Sequence, residues 1–77
     1  MRAYVLITVQ GDPRPVAEKI RALTLIGVKS ADAVWGGSKD IIAVVEADNA
    51  EALYDAGPRI REITGVVSME VESPFGL

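Results

Sequence analysis

Two segments of this chain, residues 3–9 (AYVLITV) and 41–47 (IIAVVEA), are apolar at successive positions rather than at alternate ones. Both are rich in β-branched residues, as strands are. Neighbouring side chains on a strand point to opposite faces, so Tyr4 and Leu6 face one way while Val5, Ile7 and Val9 face the other. In the same way Ile42 and Val44 oppose Ile41, Ala43 and Val45. An antiparallel sheet with one face in water alternates apolar with polar residues. A fold built on these two strands has to cover both faces of its sheet.

The remaining elements follow from punctuation and period. Gly11-Asp12-Pro13 bounds the first strand, and Pro13 and Pro15 suit a first helical turn, where a missing N–H costs little. Val16, Ile20 and Leu23 recur at helical spacing to about Thr24, and Gly27 closes that helix. Residues 28–35 read as a second strand and Gly36-Gly37-Ser38-Lys39 as a hairpin turn whose glycines supply positive φ. After the third strand, Asp48 is a candidate N-cap with Glu51 three residues on. Leu53, Ala56, Ile60 and Ile63 form the stripe of a second helix, ended by Gly65, and residues 66–72 are a fourth strand. Gly57-Pro58 falls inside that helix and predicts a kink or break, with Pro58 opening a second short segment.

The order is β-α-β-β-α-β, and the halves resemble each other: Ile20-Arg21-Ala22-Leu23-Thr24 leads to Gly27-Val28-Lys29-Ser30, as Ile60-Arg61-Glu62-Ile63-Thr64 leads to Gly65-Val66-Val67-Ser68. A β-α-β unit used twice predicts a ferredoxin-like α+β fold: a four-stranded antiparallel sheet with both helices on one face. Two helices cover only one side. With 49% hydrophobic residues in a chain of 77, a single small domain has more apolar surface than it can bury alone. The expectation is that two sheets pack face to face in a homodimer, as in the dimeric α/β-barrel architecture.

Missing residue types narrow the chemistry. The chain has neither cysteine nor histidine, which removes disulfides, thiolate sites and the usual general base near neutral pH. Eight basic against eleven acidic residues give a net charge of −3, and the cations are scattered, so no phosphate-binding surface and no direct nucleic-acid contact is expected. The apolar run at the N-terminus is too short for a signal peptide or a membrane span. The expectation is a cytoplasmic protein without a cofactor that binds rather than catalyses.

The segment Trp35-Gly36-Gly37-Ser38-Lys39-Asp40-Ile41 looks most like a site. Paired glycines let backbone N–H groups converge on a carboxylate, and Asp40 can meet an ammonium group; together these fit an amino-acid zwitterion. The same residues also serve as a plain turn with a flanking acid. Trp35 can stack on a ligand or anchor an interface. Glu70 and Glu72 share a strand face with Ser68, as a cation site or as a solvated edge. Arg59 and Arg61 sit where they balance a helix dipole. The tail, Ser73-Pro74-Phe75-Gly76-Leu77, ends in two apolar side chains that either dock on a neighbouring subunit or stay disordered.

The run from Ile20 through Gly27-Val28-Lys29-Ser30-Ala31, and then from Gly37-Ser38-Lys39-Asp40-Ile41 to Glu46-Ala47, resembles the effector-binding (RAM) domain of the Lrp/AsnC regulators. The likeness extends from Ala3 to Val71, and its most specific element is the Gly-x-x-Asp-aliphatic turn, Gly37 to Ile41. It implies dimers that assemble into rings, commonly octamers, with a small effector, usually an amino acid, bound between dimers beside that turn. The implied ligand-binding residues are Trp35, Gly36, Gly37, Ser38, Lys39, Asp40, Met69 and Val71. Lys39 stands where the family usually has an aromatic residue, and Met69 and Val71 where threonines are common. Lys39 then favours a ligand with an extra acidic group. Full regulators carry a preceding helix-turn-helix domain, whereas Met1 here opens almost directly onto the first strand. The chain is therefore similar to stand-alone members, which act through protein partners such as a full-length regulator. Two rival readings share the element order: a small dimeric α/β-barrel enzyme, which needs a deep polar cavity within one subunit, and an ACT-like regulatory module, which pairs sheets side by side.

Overall fold

The computed structural model describes residues 1–74. In chain order it has β1 (Arg2–Val9), α1 (Pro13–Arg21), a 3₁₀ turn (Thr24–Ile26), β2 (Val28–Ala33), β3 (Ile41–Glu46), α2 (Ala50–Arg61) and β4 (Val66–Glu72). All pairings are antiparallel, and the sheet order is β2-β3-β1-β4. This is the expected ferredoxin-like α+β fold. The two segments that are apolar on both faces, β1 and β3, are its central strands, flanked on each side by a more polar strand. The end of the tail, with Phe75 and Leu77, lies outside the described residues.

Period 2 along the sheet meets period 3.6 along the helices in one core. Ala3, Val5, Ile7 and Val9 of β1, Ile41, Ala43 and Val45 of β3, and Val28 and Ala31 of β2 are buried beneath Val16, Ala17 and Ile20 of α1 and Leu53, Ala56 and Ile60 of α2. Among the described residues no polar or charged side chain is buried there. The alternate residues of the central strands face away from the helices. Register brings Leu6 opposite Ile42 and Tyr4 opposite Val44 on that open face.

Several local boundaries differ from the sequence-based expectation, each for a physical reason. α1 ends at Arg21, and the chain turns through the 3₁₀ segment before Gly27 (φ +97°). Gly27 has to be glycine on a second count: a Cβ there would lie 2.2 Å from the Glu46 carbonyl oxygen. β2 ends at Ala33 rather than at Trp35, because the Val34 N–H donates to the Asp40 carbonyl at 2.8 Å and closes the hairpin. The α2 N-cap is Asn49, not Asp48: its backbone is extended and its Oδ1 accepts the Ala52 N–H at 2.9 Å. Ile63 packs against the core from beyond the end of α2. Nor does Pro58 break α2, which runs as one helix of 12 residues. The carbonyl that Pro58 leaves without a donor belongs to Tyr54, and both residues are exposed, on the side of the helix where solvent can offset the lost hydrogen bond.

Candidate functional site

The loop between β2 and β3 joins an open, glycine-containing tip to a fixed base. Trp35, Gly36, Gly37 and Ser38 are all exposed, Trp35 at 97% of its maximum. Only one of the two glycines takes positive φ, Gly36 at +102°. A Cβ at Gly36 or Gly37 would have nothing within 4 Å, so the backbone amides here are open to approach from outside.

Asp40 fixes the base of the loop. Its N–H donates to the Ile7 carbonyl at 2.9 Å, and its Oδ2 accepts the Val9 N–H at 2.9 Å. The β1–β3 register ends at Ile7 opposite Ile41, so the Asp40 carboxylate supplies the acceptor that β3 no longer offers to Val9. At the same place the β1–β4 register shifts between Thr8 and Val9. Asp40 therefore ties the start of β3 to the end of β1 where their regular ladder stops. One carboxylate oxygen is committed to this; Oδ1 has no protein partner among the described residues.

Lys39 points the other way, with its Nζ 3.2 Å from Glu70 Oε1. Glu70 is opposite Leu6, so this ion pair lies over the open face of the sheet. Met69 and Val71 are opposite Ile7 and Val5 and belong to the helix-covered side. Met69 sits beneath α2, where a Cβ on Gly57 would come 3.3 Å from its Cε. The implied ligand-binding residues thus form two groups: the loop with Asp40 and Lys39, and the β4 pair on the opposite face. They line neither of two grooves found among the described residues, both at the opposite end of β3: one of about 780 Å³ between the 3₁₀ turn and α2, lined by residues such as Ile26, Asp48, Ala52, Asp55 and Arg59, and one of about 610 Å³ beside Met1, Arg2 and Lys29.

The open face itself is graded. Its centre is Tyr4, Leu6, Ile42 and Val44, with Ile42 38% exposed although it sits mid-sheet. One end is closed by Arg2 and Glu46, whose Nη2 and Oε2 are 2.6 Å apart. The hydrogen bond from Arg2 holds the Glu46 carboxyl below its usual range. The Lys39–Glu70 pair bounds the other end. The face thus carries an apolar band with a charged pair at each end.

Like the Lys39–Glu70 pair, two further contacts escape sequence reasoning. Arg21 donates to the Ala31 carbonyl from both Nη2 (2.7 Å) and Nε (3.2 Å), covering the outer edge of β2. No local pattern marks this, because it depends on how α1 lies across the sheet. The hydrogen bond from the Val9 N–H to the Asp40 carboxylate likewise spans 31 residues.

A small four-stranded sheet with two helices on one face and a glycine loop at one end defines the class: a ferredoxin-like α+β module. Neither a protein-family model nor a curated protein matches the chain. Solved structures do. FFRP-DM1 is 30% identical with a TM-score of 0.76, over 91% of this chain and 92% of that one. TTHA0845 from Thermus thermophilus is 28% identical with a TM-score of 0.84, over 99% and 94%. The hypothetical protein PHS023 from Pyrococcus horikoshii is 29% identical with a TM-score of 0.78, over 91% and 83%. At that identity and coverage the chain belongs to the same family as FFRP-DM1. Among the described residues no helix is long and apolar enough to cross a membrane.

Proposed function

We propose that this chain is a sensing module of the Lrp/AsnC regulatory type, which dimerises through its open sheet face and binds a small effector beside the loop at residues 35–40. The observation that carries this reading is the band Tyr4, Leu6, Ile42 and Val44, apolar in the middle of a sheet face that no helix covers. The kinship with FFRP-DM1, an Lrp-like regulatory relative, supports the class. Two copies packed face to face bury the band, and such dimers assemble into rings, commonly octamers.

The effector is an amino acid. Its carboxylate is held by backbone N–H groups around Gly36, Gly37 and Ser38, and its ammonium by the free oxygen of Asp40. Because Asp40 also binds Val9, a ligand there is coupled to the strand ends. Trp35 lies beside the ligand on the same loop, and the β4 residues Met69 and Val71 complete the pocket from a neighbouring subunit, which accounts for their separation from the loop within one chain. The module binds rather than catalyses and acts through protein partners, among them a full-length regulator. Face pairing is favoured over the side-by-side pairing of ACT modules because Arg21 already occupies the β2 edge.

A thermal-shift screen of the amino acids tests the sensing role. A ligand at 100 times its Kd stabilises the fold by about 2.7 kcal/mol. Gly37 has an ordinary φ and open space, so Gly37→Val folds normally but blocks approach to the amides. A shift abolished by Gly37→Val supports the reading; no shift with any amino acid removes it.

A further inference from the structure

Leu25 and Ile26 are the two residues by which the first half of the chain exceeds the second, where Thr64 runs straight into Gly65. With Thr24 they form the 3₁₀ turn, and their side chains go opposite ways. Ile26 packs against the core, whereas Leu25 is fully exposed. The turn that carries Leu25 is fixed. The Ile26 N–H donates to the Leu23 carbonyl at 3.3 Å and the Gly27 N–H to the Thr24 carbonyl at 3.1 Å. The Gly27 carbonyl in turn accepts the Glu46 N–H at 2.9 Å. Leu25 is therefore a held apolar knob rather than a side chain on a loose loop.

The knob stands on the rim of the groove of about 780 Å³ between this turn and α2. From the other wall α2 presents Ala52, Ala56 and Pro58. The two alanines share one face of the helix and fill little space. Charge is graded along the same helix. Asp48 and Asp55 line the groove towards the start of α2 and Arg59 towards its end. Glu51 in the first turn and Arg61 in the last extend the gradient. Among the described residues none of these charges is paired with an opposite one.

We propose that this groove docks an amphipathic helix of a protein partner, antiparallel to α2, with large apolar residues on one face, acids near its start and bases near its end. Helix-in-groove docking needs anchors that fill a hole. A leucine or phenylalanine of the partner enters over Ala52 and Ala56, and Leu25 packs beside it. Charge sets the direction. The partner's basic end meets Asp48 and Asp55 and its acidic end meets Arg59, which is also the distribution that a helix dipole favours. A second copy of α2 has the right charges but not the anchor. Its groove side is Ala52, Asp55, Ala56 and Arg59, so a hole would face a hole. The groove lies on the helix side of the sheet, at the opposite end of β3 from residues 35–40. Neither a copy covering the open face nor a ligand at the loop competes for it. The proposal gives a place to the protein partner of the regulatory reading and rests on that part of it, not on an effector.

The probe is a fluorescently labelled synthetic helix of about 18 residues, with leucines at i, i+3, i+4 and i+7, glutamates in its first turn and lysines in its last. It is titrated with the full chain and read by fluorescence anisotropy. Saturable binding is expected, weakened about tenfold in Leu25→Ala, whose exposed site leaves the fold intact. A second peptide exchanges the glutamates and lysines. It should bind the parent about fivefold more weakly than the first and recover on the double variant Asp55→Lys with Arg59→Glu. The proposal is overturned if the first peptide does not bind, if both bind the parent equally, or if Leu25→Ala binds as well as the parent. It is overturned too if the mass of the parent alone rises with concentration and Leu25→Ala stops the rise, because a second copy then fills the groove. An amino-acid thermal shift without peptide binding removes this docking site alone; peptide binding without any such shift supports it and removes only the sensing role.

Discussion

The Asp40 carboxylate accepts the Val9 backbone N–H at 2.9 Å and so closes the end of a strand. The residue that resemblance marks as a ligand contact also has a structural task, and the two can be separated. Asp40→Ala leaves a partly buried donor without a partner, which costs about 1–3 kcal/mol. Asp40→Asn keeps a side-chain oxygen for Val9 and is expected to lose less than half as much in denaturant unfolding, while losing the charge that an ammonium group needs. An effector response that disappears in Asp40→Asn at near-parental stability assigns the charge to binding.

Asp12 caps α1 and is bound by Arg14, whose Nη2 is 2.7 Å from Oδ2. Hydrogen bonds from Arg14 lower its carboxyl from 3.8 to about 2. Since the folded value lies below the unfolded one, the stabilisation is present above the unfolded value and fades as pH falls from 3.8 towards 2. A carboxyl-carbon NMR titration should find a midpoint near 2 that returns towards the ordinary range in Arg14→Gln. An unperturbed midpoint in the parent would contradict the contact.

Among the described residues Gly27 is the least replaceable glycine. Positive φ alone costs a residue with a Cβ about 1–2 kcal/mol, and here the added atom also meets the Glu46 carbonyl, which belongs to rigid backbone. Gly27→Ala is expected to lose more than about 2 kcal/mol in chemical denaturation. Gly37→Ala, with room and an ordinary φ, should change stability by less than about 1 kcal/mol.

Pro58 lies in an unbroken helix on its exposed side. Pro58→Ala restores a donor for the Tyr54 carbonyl at the cost of a more flexible unfolded chain. A net gain of about 1–2 kcal/mol is expected by thermal unfolding. A loss would mean that the ring makes packing contacts that outweigh the helix defect.

These cases also mark what a reader of the sequence can and cannot see. Element order, the central position of β1 and β3 and the identity of the core are legible because they rest on local period: Val5, Ile7 and Val9 bury together, as do Val16 and Ile20. Boundaries depend on single hydrogen bonds. Asn49 displaces Asp48 as a cap because either residue type suits the role and only the backbone path decides between them. Of the loop, the exposure of Trp35 and the openness at Gly36 and Gly37 follow from turn chemistry. The engagement of Asp40 by Val9, of Lys39 by Glu70 and of Ala31 by Arg21 does not, since each joins segments brought together only by the finished sheet.

The central claim is that the face carrying Tyr4, Leu6, Ile42 and Val44 is covered by a second copy. Mass measurement in solution at micromolar concentration, on the parent and on Ile42→Asp, tests it most directly. The account predicts an even multiple of the 8.2 kDa chain for the parent and a shift to the single chain, or to unfolded protein, for Ile42→Asp. A folded, monodisperse 8.2 kDa parent would contradict it.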